Sequence, residues 1–357
     1  MGEVMKLSII VPVYNMAADD KLKHCIDSLL NQTITDYEII AVDDASTDES
    51  LKILREYEAA YEGFIKVVAC SENHRQGGAK NRGLELASGE WVGFIDSDDW
   101  IHPDMYKNLI EKAEDTGADF VGCDYNIVSE YTFDVGQVAV NNSQEQTGEL
   151  DDARHEMHIL QNGSMVVKVY KRSVITENGL KFPEGIFYED NMAAPYWSLF
   201  FTHFERVPEP FYYYLTVPSS TTHHVSWSKC QDRMTAGELM IKACREREEY
   251  IRLKDAIDYR FTELYYITTL LSYMIDGEKK KLSNVRKLKE GILKYVPNFR
   301  ENKYYDERVS VENKKLIDLH MKSNFLFFIY FNLLFGYRKF RKRIANKKQL
   351  TAGEENE

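Results

Sequence analysis

The sequence predicts an α/β fold, a mostly parallel sheet flanked by helices, followed by a helical C-terminal region. Three observations lead there. Short apolar, β-branched runs alternate with segments of helical period through the first third of the chain. Several of those runs stop abruptly at carboxylates or turn residues, and beyond about Asp232 strand signals give way to helical periodicity. Alternation on this scale implies right-handed βαβ units and a mostly parallel sheet.

The elements follow in order. Lys6 to Val13 is apolar and β-branched, a buried strand that stops at Pro12 to Asn15. Asp20 to Gln32 sets Leu22, Cys25, Ile26, Leu29 and Leu30 at helical spacing. Tyr37 to Val42 is a second strand ending in Asp43 and Asp44, and Ser46-Thr47-Asp48-Glu49 reads as a capped helix entry. Phe64 to Ala69 is a third strand, and Gly77 to Leu84 opens a helix that runs to about Ala87. The central strand begins at Trp91 and delivers Asp96, Asp98 and Asp99 to the rim of the sheet, where open α/β sheets bind ligands. His102-Pro103-Asp104 restarts a helix to about Thr116, and Phe120 to Cys123 is a further strand. Asn126 to Leu150 is a polar excursion of strands and loop. Met165 to Tyr170 reads as a strand, Phe182 to Asn191 as a loop into a helix carrying Ala193 to Phe200, and Pro208 to Leu215 as an aromatic-rich strand. A Ser/Thr-rich turn with His223-His224 then leads into helices. The expected division is 1–220 for the ligand-binding and catalytic domain, 221–324 for a helical region and 325–357 for an apolar and basic tail.

Composition bounds the function. With 357 residues, 44% hydrophobic and 29% charged, the chain describes an ordinary globular protein with a sizeable core. Its net charge of −12 argues against nucleic acid as a partner. Five cysteines, far apart and without a Cys-x-x-Cys pair, suggest neither a disulfide framework nor a zinc site and fit a reducing cytoplasm. No basic segment followed by a long apolar one precedes Lys6, which fits the same expectation.

The chemistry gathers at three strand ends: Pro12 to Asn15, Asp43-Asp44, and Asp96 to Asp99. Carboxylates crowded this closely raise one another's pKa unless a cation neutralises them, which points to a divalent metal held by hard oxygens. Mg²⁺ or Mn²⁺ bound by so few protein ligands completes its shell with water and substrate phosphates. An acidic turn that merely caps the next helix is the plain alternative. Neither a dinucleotide-binding Gly-x-Gly-x-x-Gly after the first strand nor a P-loop occurs. Anion handling therefore falls to the metal, to Lys80 and Arg82, and to the helix start near Gly78.

Five segments, Ser8 to Asn15, Val42 to Asp48, Gly77 to Leu84, Gly89 to Asp99 and Phe187 to Asn191, together closely resemble the inverting glycosyltransferases of family 2. The resemblance covers roughly residues 6–215 and implies a GT-A fold, Rossmann-like, and a nucleotide-sugar donor, most often a UDP-sugar. By position, Pro12 and Tyr14 would line the base pocket, Asp44 would meet the uracil edge, and Lys80, where many relatives carry Arg, would face the diphosphate. Asp96 resembles the residue near ribose and metal shell, and Asp98 the metal ligand. Asp190 matches the family's general base, with Glu189 orienting acceptor or base. His223 would add a third metal or diphosphate contact. The acceptor would be a saccharide or lipid-linked saccharide of a bacterial surface polysaccharide. Two rivals are a catalytically inactive sugar-nucleotide-binding module and a nucleotidyltransferase; intact Asp96, Asp98 and Asp190 disfavour the first, and the lack of a Gly-rich, basic N-terminal loop the second.

The tail differs in kind. Phe325 to Phe335 is too short to span a bilayer, which takes about 20 apolar residues. Arg338, Lys339, Arg341, Lys342, Arg343, Lys347 and Lys348 follow it. Such a pairing suits either peripheral contact with the inner membrane leaflet or a terminal helix packed on the protein with a solvated basic end.

Overall fold

A computed structural model of the chain describes residues 5–161, 163–216 and 225–338. Its strands are β1 (Leu7–Val13), β2 (Tyr37–Asp43), β3 (Ile65–Ala69), β4 (Trp91–Phe94), β5 (Trp100–Ile101), β6 (Phe120–Val128), β7 (Gln137–Ala139), β8 (Gly148–Glu149), β9 (Lys168–Lys171) and β10 (His203–Leu215). They form one sheet in the order β3-β2-β1-β4-β9-β6-β10-β5, with β7 on β6 and β8 on β10. The first four pair in parallel, as do β6 and β10. The sheet is nonetheless mixed, because β9 inserts antiparallel between β4 and β6 and β5 lies antiparallel to β10.

Helices α1 (Lys21–Leu30), α2 (Ser50–Ala60), α3 (Arg75–Leu86) and α4 (Met105–Thr116) return the chain between strands. They are followed by α5 (Asp152–Leu160), α6 (Arg172–Glu177) and α7 (Glu189–Trp197). The C-terminal region holds α8 (Trp227–Arg245), α9 (Glu249–Phe261), α10 (Thr269–Asp276), α11 (Leu282–Tyr295), α12 (Lys303–Arg308), α13 (Val311–Lys322) and a last helix, α14, over residues 324–338. A π-helical turn, Thr262–Thr268, joins α9 to α10.

Three local differences from the sequence reading have physical causes. Helix α2 starts at Ser50, because the Asp48 carboxylate rather than Ser46 accepts its first N–H, at 2.9 Å. Helix α3 starts before the glycine pair. A Cβ on Gly77 would stand 2.0 Å from the Pro183 carbonyl oxygen and one on Gly83 2.4 Å from Ile10, so these glycines are close-packing positions inside the helix. Strand β6 continues to Val128 because β10 pairs with it along its length.

The sheet and its helices enclose one apolar core, and the C-terminal helices a second, with Tyr196 and Phe200 touching both. His320 sits fully buried in the second. The Val285 carbonyl, 3.2 Å from its Nε2, can only accept, so Nε2 carries the proton and Nδ1 takes the Tyr266 hydroxyl at 2.7 Å. Burial, then the charge of Lys289, lowers its pKa to about 4 from an ordinary 6.5. The unfolded chain therefore binds this proton more readily, and stability falls as pH drops from 6.5 towards 4, by up to about 3 kcal/mol. The melting temperature of His320→Gln is expected to fall less across that window than that of the wild-type chain, as calorimetry at stepped pH would show.

Candidate active site

The rim of the sheet is tied together by short polar links. Asn15, at the end of β1, holds φ at 54°, a left-handed conformation that asparagine tolerates. Its N–H donates to Ser46 Oγ at 3.0 Å and its Oδ1 accepts from the Thr47 N–H at 2.8 Å. The Asp48 carboxylate also takes the Ala17 N–H at 3.0 Å. The loops after β1 and β2 are thus one unit bordering a cleft of about 370 Å³.

Eight of the nine site residues expected from the sequence line that cleft: Pro12, Tyr14, Asp44, Lys80, Asp96, Asp98, Glu189 and Asp190. The ninth, His223, lies outside the described residues. Tyr14 is 42% exposed, its ring available to a ligand. Asp44 is buried, and one of its oxygens accepts the His74 N–H at 2.8 Å. Burial raises its pKa, and hydrogen bonds from the His74 and Arg75 backbone oppose the rise.

Three aspartates end the central strand and take different parts. Asp99 turns away from the cleft, where its oxygens accept the Tyr212 hydroxyl at 2.6 Å and the Leu215 N–H at 2.8 Å. It anchors the end of β10. Asp96 and Asp98 face the cleft. Burial raises both, Asp96 to about 6, with Lys80 pulling Asp96 down and Asp98, Glu189 and Asp190 pushing it up. Among the described residues no group of three or more His, Cys, Asp or Glu is arranged to hold a metal ion. The candidate donor set is the pair Asp96 and Asp98, both lining the cleft. Two desolvated, mutually repelling carboxylates opening on one cleft fit a divalent ion that draws its other ligands from water and phosphate.

Helix α7 brings Glu189 and Asp190 to the same cleft. Its N-terminus is set by Tyr188, held at φ 65°, a strained conformation for a bulky residue. Glu189 forms a buried ion pair with Lys80 at 2.7 Å. Burial lowers the Lys80 pKa, but Glu189 and Asp96 outweigh it and the net shift is upward. The ammonium is therefore engaged by protein carboxylate, also lying 3.4 Å from Gln76 Oε1. Asp190 is exposed at the cleft; desolvation by the surrounding walls and the charge of Glu189 push its carboxyl up, while Lys80 and Arg260 of α9 oppose them.

The C-terminal region grips this loop from outside. The Asp232 carboxylate of α8 lies 3.4 Å from the Phe187 N–H, and the Arg233 guanidinium stands 4.3 Å from the centre of the Tyr188 ring. Arg82 does not take the expected part in anion handling. It points to Glu184, at 3.5 Å, on the side of α3 away from the cleft lining. Residues not singled out from the sequence also line the cleft, among them Gln76, which donates to Asp96 at 3.1 Å, and Arg75, whose guanidinium lies over Phe187 at 4.4 Å. Their place next to the Gly77 segment was the available signal. Ser164 and Met165 carried none, since only the insertion of β9 brings them to the rim.

Comparison with known proteins agrees with this geometry. The family description Glycosyl transferase family 2 matches residues 8–177. An uncharacterized glycosyltransferase of Escherichia coli K12, YibD, is 33% identical over 53% of this chain and 55% of its own length, so the chain spans about half of that relative. A putative glycosyltransferase of Bacillus subtilis 168, EpsH, is 29% identical over 84% of this chain and 86% of its own. Among solved structures, S. aureus TarS 1–349 in complex with UDP superposes with a TM-score of 0.66 at 20% identity, covering 94% of this chain and 92% of that one. The fold is GT-A, and residues 8–177, just under half of the chain, are similar to glycosyl transferase family 2.

Replacing Lys80 by Gln would strand the buried Glu189 carboxylate. The expected loss of stability is about 3 kcal/mol, with partial recovery in the double variant Lys80→Gln/Glu189→Gln. Urea unfolding of the two variants checks it.

Proposed function

We propose that this chain is an inverting glycosyltransferase that moves a sugar from a UDP donor to a hydroxyl of a glycan or lipid-linked saccharide in bacterial surface polysaccharide synthesis. The observation that carries the reading is the opening of Asp190 and of the Asp96/Asp98 pair onto one cleft, together with Pro12, Tyr14 and Asp44. The UDP held by the fold neighbour TarS supports the choice of nucleotide. Five free thiols support a reducing compartment, the cytoplasm, as the setting of this reaction.

Each residue then has a task. The Tyr14 ring stacks on uracil, and the Asp44 carboxylate accepts the ring N–H. Asp190, its proton affinity raised by partial desolvation and by Glu189, takes the proton of the acceptor hydroxyl. As that proton moves, the hydroxyl oxygen bonds to the anomeric carbon from the face opposite the diphosphate, and the carbon–oxygen bond to the diphosphate breaks with its electron pair leaving on phosphate. One displacement inverts the anomeric centre. Glu189, fixed by Lys80, holds the acceptor or the base in line. A divalent ion, Mn²⁺ or Mg²⁺, would be held by Asp98 and Asp96, with His223 as a further ligand, and would neutralise charge on the departing diphosphate.

A panel of UDP-sugars screened with Mn²⁺ should give metal-dependent UDP release; pyrophosphate release instead would indicate nucleotidyl transfer. In the same assay Asp190→Asn is expected to lose transfer by about a thousandfold while calorimetric donor affinity is kept. Asp98→Ala should weaken metal and donor together. Near-normal transfer by Asp190→Asn removes Asp190 as the base.

A further inference from the structure

Helix α14 has two faces. Phe327 and Phe331 are fully buried in the helical core, the former 4.7 Å from the His320 ring, and Phe335 stacks on Phe331 at 4.2 Å. At about 100° per residue, Phe325, Leu326, Ile329, Tyr330, Leu333 and Tyr337 fall within an arc of about 140° on the other side. All six are between 41% and 69% exposed. From Phe325 to Tyr337 there is no charged residue, and Asn332 is the one amide. A contiguous apolar stripe of this extent on a surface marks an interaction site.

The charge pattern beyond the stripe identifies its partner. Arg338 pairs with Glu312 at 2.6 Å and lies over the Phe335 ring. The next ten residues carry Lys339, Arg341, Lys342, Arg343, Lys347 and Lys348 and no acid, in a chain whose net charge is −12. Apolar side chains directly before a block of cations complement a surface that is apolar within and anionic outside. A second copy of the chain would set two such blocks against each other. Among the described residues no helix is long and apolar enough to cross a membrane, and α14 already commits one face to the protein core.

We propose that the outer face of α14 docks the protein on an anionic lipid bilayer. The helix axis lies in the membrane plane and the stripe enters the boundary between headgroups and acyl chains, while the cations that follow in the sequence supply charge complementary to anionic headgroups. No residue of the cleft enters this inference, so it stands or falls apart from the transferase reading.

The test is co-sedimentation of the full chain with phosphatidylcholine vesicles, with and without phosphatidylglycerol. The wild-type chain should bind the anionic vesicles about tenfold more tightly than the neutral ones and release them as salt rises. Ile329→Glu/Leu333→Glu and, separately, Arg341→Gln/Lys342→Gln/Arg343→Gln should each weaken that binding by about tenfold. The circular dichroism and UDP affinity of the Glu variant should match the wild type, since Ile329 and Leu333 are exposed and line no part of the cleft. Absence of binding to anionic vesicles, or binding unchanged in both variants, overturns the proposal. So does a wild-type dimer, seen by sedimentation velocity, that the Glu variant dissociates while vesicles go unbound; the stripe would then belong to a second copy.

Discussion

The contact between Lys80 and Glu189 is what the rest of the site depends on. It joins α3 to α7 across 109 residues of chain, with both charges almost wholly out of water. Burying two ions costs several kcal/mol apiece, which their attraction only partly offsets, so the pair is a poor source of stability. Its contribution is position. The single ammonium stands among Glu189, Asp96 and Asp190 and opposes their mutual repulsion. Neighbouring contacts enforce the same approach: Gly77 meets the Pro183 carbonyl, and the Asn81 amide exchanges hydrogen bonds with both the N–H and the carbonyl of Phe182. Helix α3 thereby carries a carboxylate partner for α7 while its first turns wall the cleft.

The cleft is assembled from three sources with different mechanical character. The ends of β1, β2 and β4 are firmly held, because their strands are buried on both faces, and the loops after β1 and β2 are cross-linked through Asn15 and Asp48. Helix α7 begins at a strained Tyr188 that only surrounding contacts can hold. Those contacts come from α8, through Asp232 and Arg233, so the region beyond the span matched to the family places Asp190. The helices after residue 225 therefore support the loop that opens α7.

Much of this was legible in the sequence. The strand ends at Pro12, Asp44 and Asp96 announce themselves by an apolar run meeting polar residues, and β-strand period needs no tertiary information. The resemblance across five segments supplied Asp190, which no local pattern would separate from an ordinary helix-start acid. What escaped depends on contacts between distant segments. Arg82 looked equivalent to Lys80 as a cation, but two residues along a helix turn a side chain by about 200°, and it meets Glu184 instead. The antiparallel course of β9 was hidden for the same reason, since Val169 and Tyr170 read alike in either direction. Gln76 and Arg75 are polar residues whose neighbours only the fold reveals.

That course of β9 bears on how the chain folds. Strands β4 and β6 are separated in sequence by one short strand and α4, yet they do not pair with each other; each pairs with β9, made some forty to eighty residues later. Until residue 171 leaves the ribosome, the inner edge of β4 and the Phe120–Gly122 stretch of β6 lack their β9 partner, and the two halves of the sheet have nothing to zip them together. The newborn polypeptide thus waits with open hydrogen-bonding edges, the kind of surface that chaperones shield, and its closure is a late, long-range event.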